Sequence, residues 1–101
     1  MKIYTEEERD QFERESALML EQEHRQMNGN PSFEQLFMWG MNIFRNKGDP
    51  RYSDPKPHFM RLAKKYFDQI PMSHFSKKQA RELSIFNHRY EQIVRTPDGR
   101  G

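Results

Sequence analysis

Apolar side chains recur along this chain at spacings of three and four, broken by clusters of Pro and Gly, and that rhythm predicts four helices and no strand. The breaks fall at Gly29-Asn30-Pro31, Gly48-Asp49-Pro50, Asp54-Pro55-Lys56-Pro57, Pro71 and Pro97-Asp98-Gly99. The first window opens on Thr5-Glu6-Glu7-Glu8, a capping-box pattern with three acids where the helix dipole is positive, and stops at Gly29. Phe12, Ser16, Met19, Leu20, Glu23 and Met27 share one side of it. That stripe is thin and contains a carboxylate, so the helix is expected at the periphery, or facing a partner.

The second window starts at Ser32, a capping box with Gln35, and ends at Gly48. Phe33, Leu36, Phe37, Gly40, Ile43 and Phe44 form its main face, and Met38, Trp39 and Met41 extend the apolar surface almost all round, which predicts a central helix. Glycine in mid-helix costs about 1 kcal/mol relative to alanine. Gly40 therefore implies that a backbone or a large ring comes close. The third helix follows a nine-residue loop, Asp49 to Pro57, stiffened by three prolines. Asp54 before Pro55 reads as its N-cap, with Pro57 as a later start, and Phe59, Leu62, Ala63, Tyr66, Phe67 and Ile70 point inward before Pro71 stops it. Ser76 reads as the N-cap of a fourth helix running to about Arg95, with Ala80, Leu83, Phe86, Asn87, Tyr90, Ile93 and Val94 on its buried side. Residues 1–4 and 96–101 are expected to fray.

The expected fold is thus a single all-α domain spanning residues 1–101, a small four-helix arrangement with the apolar second helix at its centre and the acidic first helix outermost. Composition leaves this picture standing but makes it modest: hydrophobic residues are 34% and charged residues 32% of 101. Eight Phe, four Tyr and one Trp supply the large rings that a small core needs. There is no cysteine, which removes disulfides, thiolate metal sites and thiol nucleophiles and suits the cytoplasm. No run is long and apolar enough for a membrane span, and the acidic beginning is unlike a signal peptide. The net charge of +2 hides a division, because residues 1–30 carry eight acids and four bases while the remainder carries seven acids and thirteen bases.

Catalytic patterns are missing. His24, His58, His74 and His88 lie in four different segments, and neither a nucleophile elbow nor a Gly-rich phosphate loop is present. Glu21-Gln22-Glu23-His24 holds a Glu-x-x-His spacing, but a di-metal bundle site needs two such pairs and two more inward glutamates. It reads as a solvated, charge-laced face. No cofactor and no metal are expected. Basic residues gather on either side of the turn between the third and fourth helices, at Arg61, Lys64, Lys65, Lys77, Lys78 and Arg81, where they could meet phosphates or an acidic protein. Trp39 reads mainly as core filler and Tyr52 as a ring folded over the edge of the core; each is also a candidate apolar contact.

No family signature is present. In character, though in no specific motif, the chain is similar to the small accessory proteins of phages and mobile elements that bind and block a host factor. The expectation is a non-catalytic binding or regulatory protein that occupies a partner's surface, such as a phage-type inhibitor of a host or defence complex. A small nucleic-acid-binding module using the bases of the third and fourth helices is the alternative. A protein partner is expected, with a homodimer among the choices, and no membrane.

Overall fold

The computed structural model describes residues 4–27, 29–52 and 54–94. Among them lie four α-helices, α1 (Glu6–Met27), α2 (Phe33–Lys47), α3 (Pro57–Asp68) and α4 (Lys77–Val94), with a single 3-10 turn at Met72–His74. No strand occurs among the described residues. The expected fraying of residues 1–3 and 96–101, and the helix end at Arg95, lie outside them.

Three helices begin in the way their sequences imply. Thr5, Ser32 and Ser76 each accept, through the hydroxyl, from the amide three residues on, and Glu8, Gln35 and Gln79 each accept in return from the amide of the capping residue. Such reciprocal boxes satisfy orphan donors that a helix start otherwise leaves to water. The third helix takes the later of its two expected starts. Its N-cap is Lys56 and its first residue Pro57, two positions beyond the Asp54-Pro55 start. The backbone amide of Lys56 donates to the Lys47 carbonyl at 2.9 Å, closing the loop between α2 and α3 at its base.

The core is a stack of rings held by α2, α3 and α4. Phe86 is fully buried, meeting Phe44 at 5.4 Å and Phe67 at 4.8 Å edge-on, and Phe67 in turn meets Phe37 at 5.7 Å. Edge-to-face pairs of this kind add to the area they bury. Met60 fills the space below Gly48, and Leu36, Ile43, Leu62, Ala63, Ile70 and Leu83 complete the interior. The α2–α3 pair is the spine of the domain, and α3 also carries α1 on one flank and α4 on the other. Gly40 has the neighbour its position implied: a β-carbon there would lie 2.5 Å from Cε1 of Phe67. Arg89 of α4 latches the far end, its Nε donating to the Gly48 carbonyl at 3.0 Å.

Two faces differ from their expected composition. On α4, Ala80 and Asn87 are exposed and only Leu83, Phe86 and Val94 are buried, because the ring stack contacts a narrower strip than the sequence spacing spans. On α1 the difference is larger. Phe12, Met19 and Met27 remain 71%, 60% and 80% exposed, and Glu23 is exposed too. The docked side is rotated from that stripe and consists of Glu13, Ala17, Leu20, Glu21 and His24, of which Ala17 alone is buried.

Candidate partner-binding surface

Polar groups carry most of the seam between α1 and the rest. Asp10 meets the His58 imidazole at 2.7 Å, and the Glu13 carboxylate accepts from the His58 backbone amide. The His58 contact holds the Asp10 carboxyl below its usual range. Further along, Glu21 pairs with Lys65 of α3 and Arg25 of its own helix, with only 12% of its side chain exposed. His24 lies flat on Trp39, centroids 4.3 Å apart and planes 5° from parallel. Its Nδ1 lies 2.7 Å from the Tyr66 hydroxyl oxygen, within hydrogen-bonding distance. Burial pushes the Tyr66 hydroxyl up to about 12, with the Glu21 charge adding to it, so the phenol stays a donor. Burial also lowers the His24 imidazole below 6.5, favouring the neutral ring that can accept. Glu21 and His24 are therefore not on the solvated face that their sequence suggested, whereas Gln22 and Glu23 between them are exposed. Glu21 and His24 are engaged because Trp39, Tyr66 and Lys65 offer a flat ring, a hydroxyl and an ammonium that only tertiary contact brings together.

Rotated from this seam, the outer stripe of α1 runs Glu8, Phe12, Glu15, Met19, Glu23, Met27, acids alternating with exposed apolar groups. Near its start the stripe borders a cleft of about 550 Å³ lined by Tyr4, Phe12, Phe59, Lys47 and Lys56 together with Glu8, Glu13 and Glu15. Phe59 forms a buried wall and Lys47 places its ammonium 5.2 Å from that ring. The cleft is thus apolar at its wall and charged at its rim, a combination suited to a large side chain from another molecule.

The six bases singled out in the sequence divide into two sets. On α3, Arg61 contacts the His58 ring at 3.3 Å, Lys65 pairs with Glu21, and Lys64 pairs with Asp68 at 2.9 Å while facing the Tyr90 ring of α4. These three are engaged in contacts of their own. Lys77, Lys78 and Arg81 are exposed together on the first turns of α4 and have no ion pair among the described residues. Trp39 is half-buried in the α1 seam. Tyr52 is 65% exposed, in contrast to the covering role read from the sequence, because the Asp49-Arg51 turn holds it outward with the Arg51 guanidinium over its ring at 5.3 Å. Asp49 itself is buried and accepts from Arg51 Nη2 at 2.8 Å and from the Arg51 amide at 3.0 Å, which keeps its carboxyl below the usual range.

No cluster of three or more His, Asp or Glu able to hold a metal occurs among the described residues. No helix among them is long and apolar enough to cross a membrane. No protein family, curated protein or solved structure matches the chain. Fold and surface together define the class: a small all-α four-helix domain with an acid-edged apolar stripe on its first helix.

Proposed function

We propose that this chain is a non-catalytic binding protein of the cytoplasm that regulates or inhibits a partner protein by occupying its surface. The working surface is the outer stripe of α1 with the adjoining cleft. One observation carries the reading: α1 docks through hydrogen bonds and ion pairs while Phe12, Met19 and Met27 stay in solvent. Large apolar groups in a row on a folded surface are characteristic of recognition sites, where aromatic and methionine side chains carry most of the affinity. The lack of cysteine suits a reducing compartment.

A photo-crosslinking residue in place of Met19, used in the native host, should join to a discrete partner protein, whereas the same residue in place of exposed Glu91 should not. Equal labelling from both positions would refute the reading. The variant Phe12→Asp with Met19→Asp should lose the partner while keeping the helical circular dichroism spectrum.

The alternative of a nucleic-acid module is favoured by Lys77, Lys78 and Arg81, which are exposed and have no ion pair among the described residues. Three phosphate contacts predict a log–log salt slope of about −2.7 on duplex DNA. No retention at low salt would remove this second reading.

A further inference from the structure

The residues that α1 leaves outward have a chemical complement elsewhere in the same chain. Along its outer face α4 presents the adjacent Lys77 and Lys78 and then Arg81, Ile85 and His88 at spacings of three and four, all exposed. Ile85 is 58% exposed, and Met72 in the turn just before the helix is 74% exposed. The two faces match in kind. One alternates carboxylates with apolar groups, and the other sets bases beside apolar groups. Within one copy they do not neutralise each other: α1 meets α3 through His58, Lys65 and Tyr66, α4 meets α3 through Phe67 and Lys64, and among the described residues no ion pair joins an acid of α1 to a base of α4.

We infer that the outer stripe of α1 docks on the outer face of α4 in a second copy of this chain. This rests on the reading of α1 as a binding surface and names an occupant for it. Charge complementarity selects the pairing and orients the encounter, since α1 against α1 would oppose acids to acids and α4 against α4 bases to bases. Affinity comes from Phe12, Met19 and Met27 meeting Ile85 and Met72, with the ion pairs lying at the rim where salt screens them. A foreign partner that uses the stripe competes with the second copy. The chemistry of α4, bases flanking a large aliphatic group, describes what such a partner would present.

The test is the mass of the full chain in solution, measured by sedimentation equilibrium at low and high salt. At low salt the mass should climb above 12.3 kDa as concentration rises, and high salt should return it toward that value. Glu15→Lys with Glu23→Lys should weaken self-association by about tenfold, as should Lys78→Glu with Arg81→Glu, because each replaces attraction by repulsion. An equimolar mixture of the two variants should associate again, since each then supplies the face that the other lacks. All four positions are exposed, and an unchanged circular dichroism spectrum verifies that each variant is folded. A wild-type mass that stays at 12.3 kDa throughout, or association indifferent to both reversals, or a mixture that stays monomeric, overturns the inference. A monomeric chain whose Met19 crosslinks to a foreign protein would sink the self-pairing and leave the proposed function intact. Crosslinks only between copies would do the reverse.

Discussion

Replacing Gly40 by alanine sets two effects of known sign against each other. Helix propensity alone makes Gly40→Ala stabilising by about 1 kcal/mol, since alanine loses less backbone entropy on folding. Packing opposes it. The new β-carbon would stand 2.5, 2.6 and 3.0 Å from Cε1, Cζ and Cδ1 of Phe67, against a comfortable carbon–carbon separation of about 3.5–4.0 Å. The ring would have to retreat by roughly 1 Å to restore that separation. It is 3% exposed and wedged between Phe37 and Phe86, and Phe86 is itself fully buried against Phe44, so the strain passes down the stack. Overpacking of this kind costs about 1–3 kcal/mol. The difference is a net loss of about 1 kcal/mol, read as a fall in melting temperature of about 4–8 °C for a domain of this size. Denaturant unfolding at constant m-value gives the free energy directly. Phe67→Leu shortens the group that blocks the β-carbon, so in that background Gly40→Ala should turn neutral or stabilising, a coupling of about 1 kcal/mol in the double-mutant cycle. A stabilised Gly40→Ala single variant would refute the argument.

Phe86→Ala empties the centre of the ring stack and should cost about 3–5 kcal/mol, enough to leave much of a marginally stable domain unfolded in a thermal melt at neutral pH. Ser32→Ala removes the hydroxyl that caps α2 and should cost about 1 kcal/mol, whereas Ser32→Asp should retain most of it. Below pH 6.5 stability should fall with pH because burial lowers the folded-state pKa of His24: between the folded and unfolded values the unfolded chain binds more protons, so acid favours unfolding. His24→Gln should flatten that segment of the profile, and fluorescence of Trp39, the sole tryptophan, should report the stacked ring as it titrates. Asp10 acts only at lower pH, since its carboxyl lies below 3.8. A profile unchanged by His24→Gln would assign the acid sensitivity elsewhere.

What the sequence made legible is what depends on local rules. Helix starts at Thr5, Ser32 and Ser76 follow from hydroxyl-to-amide geometry within four residues, and the inward face of α3 follows from strongly apolar side chains at helical spacing. Gly40 announced a close ring because an unfavourable residue in mid-helix needs a tertiary reason. The face of α1 was not legible in the same way. Of its expected stripe only Ser16 and Leu20 are partly covered, and the rest of the docked side depends on Trp39, Tyr66, His58 and Lys65, which lie far off in sequence. The spacing of Glu13, Ala17, Leu20 and His24 is as helical as that of Phe12, Met19, Glu23 and Met27, but a hydrophobicity pattern ranks the second set above the first. Of the two starts the sequence offers for α3, Asp54 has the better capping side chain, yet the amide of Lys56 bonding to the Lys47 carbonyl goes with the later one at Pro57.

The way α1 is attached bears on why its apolar side is outward. A hydrogen bond exchanged for one to water contributes about 0.5–1.5 kcal/mol, and exposed ion pairs less. Burying Phe12, Met19 and Met27 on the domain would instead contribute about 1.5–3 kcal/mol each. The same stripe carries Glu8, Glu15 and Glu23, so turning it inward would also bury three carboxylates and break the contacts to His58, Lys65 and Tyr66, which opposes that gain. The observed rotation keeps the stripe available, while Ala17, the His24–Trp39 stack and the Glu21–Lys65 pair hold the helix in register. Apolar groups that stay in solvent on the folded chain leave a favourable burial term for association to supply. Loss of α1 docking, as in a Trp39→Ala variant, should then weaken binding through the stripe even though Trp39 lies outside it, because the stripe would no longer be held at a fixed angle to the cleft wall formed by Phe59.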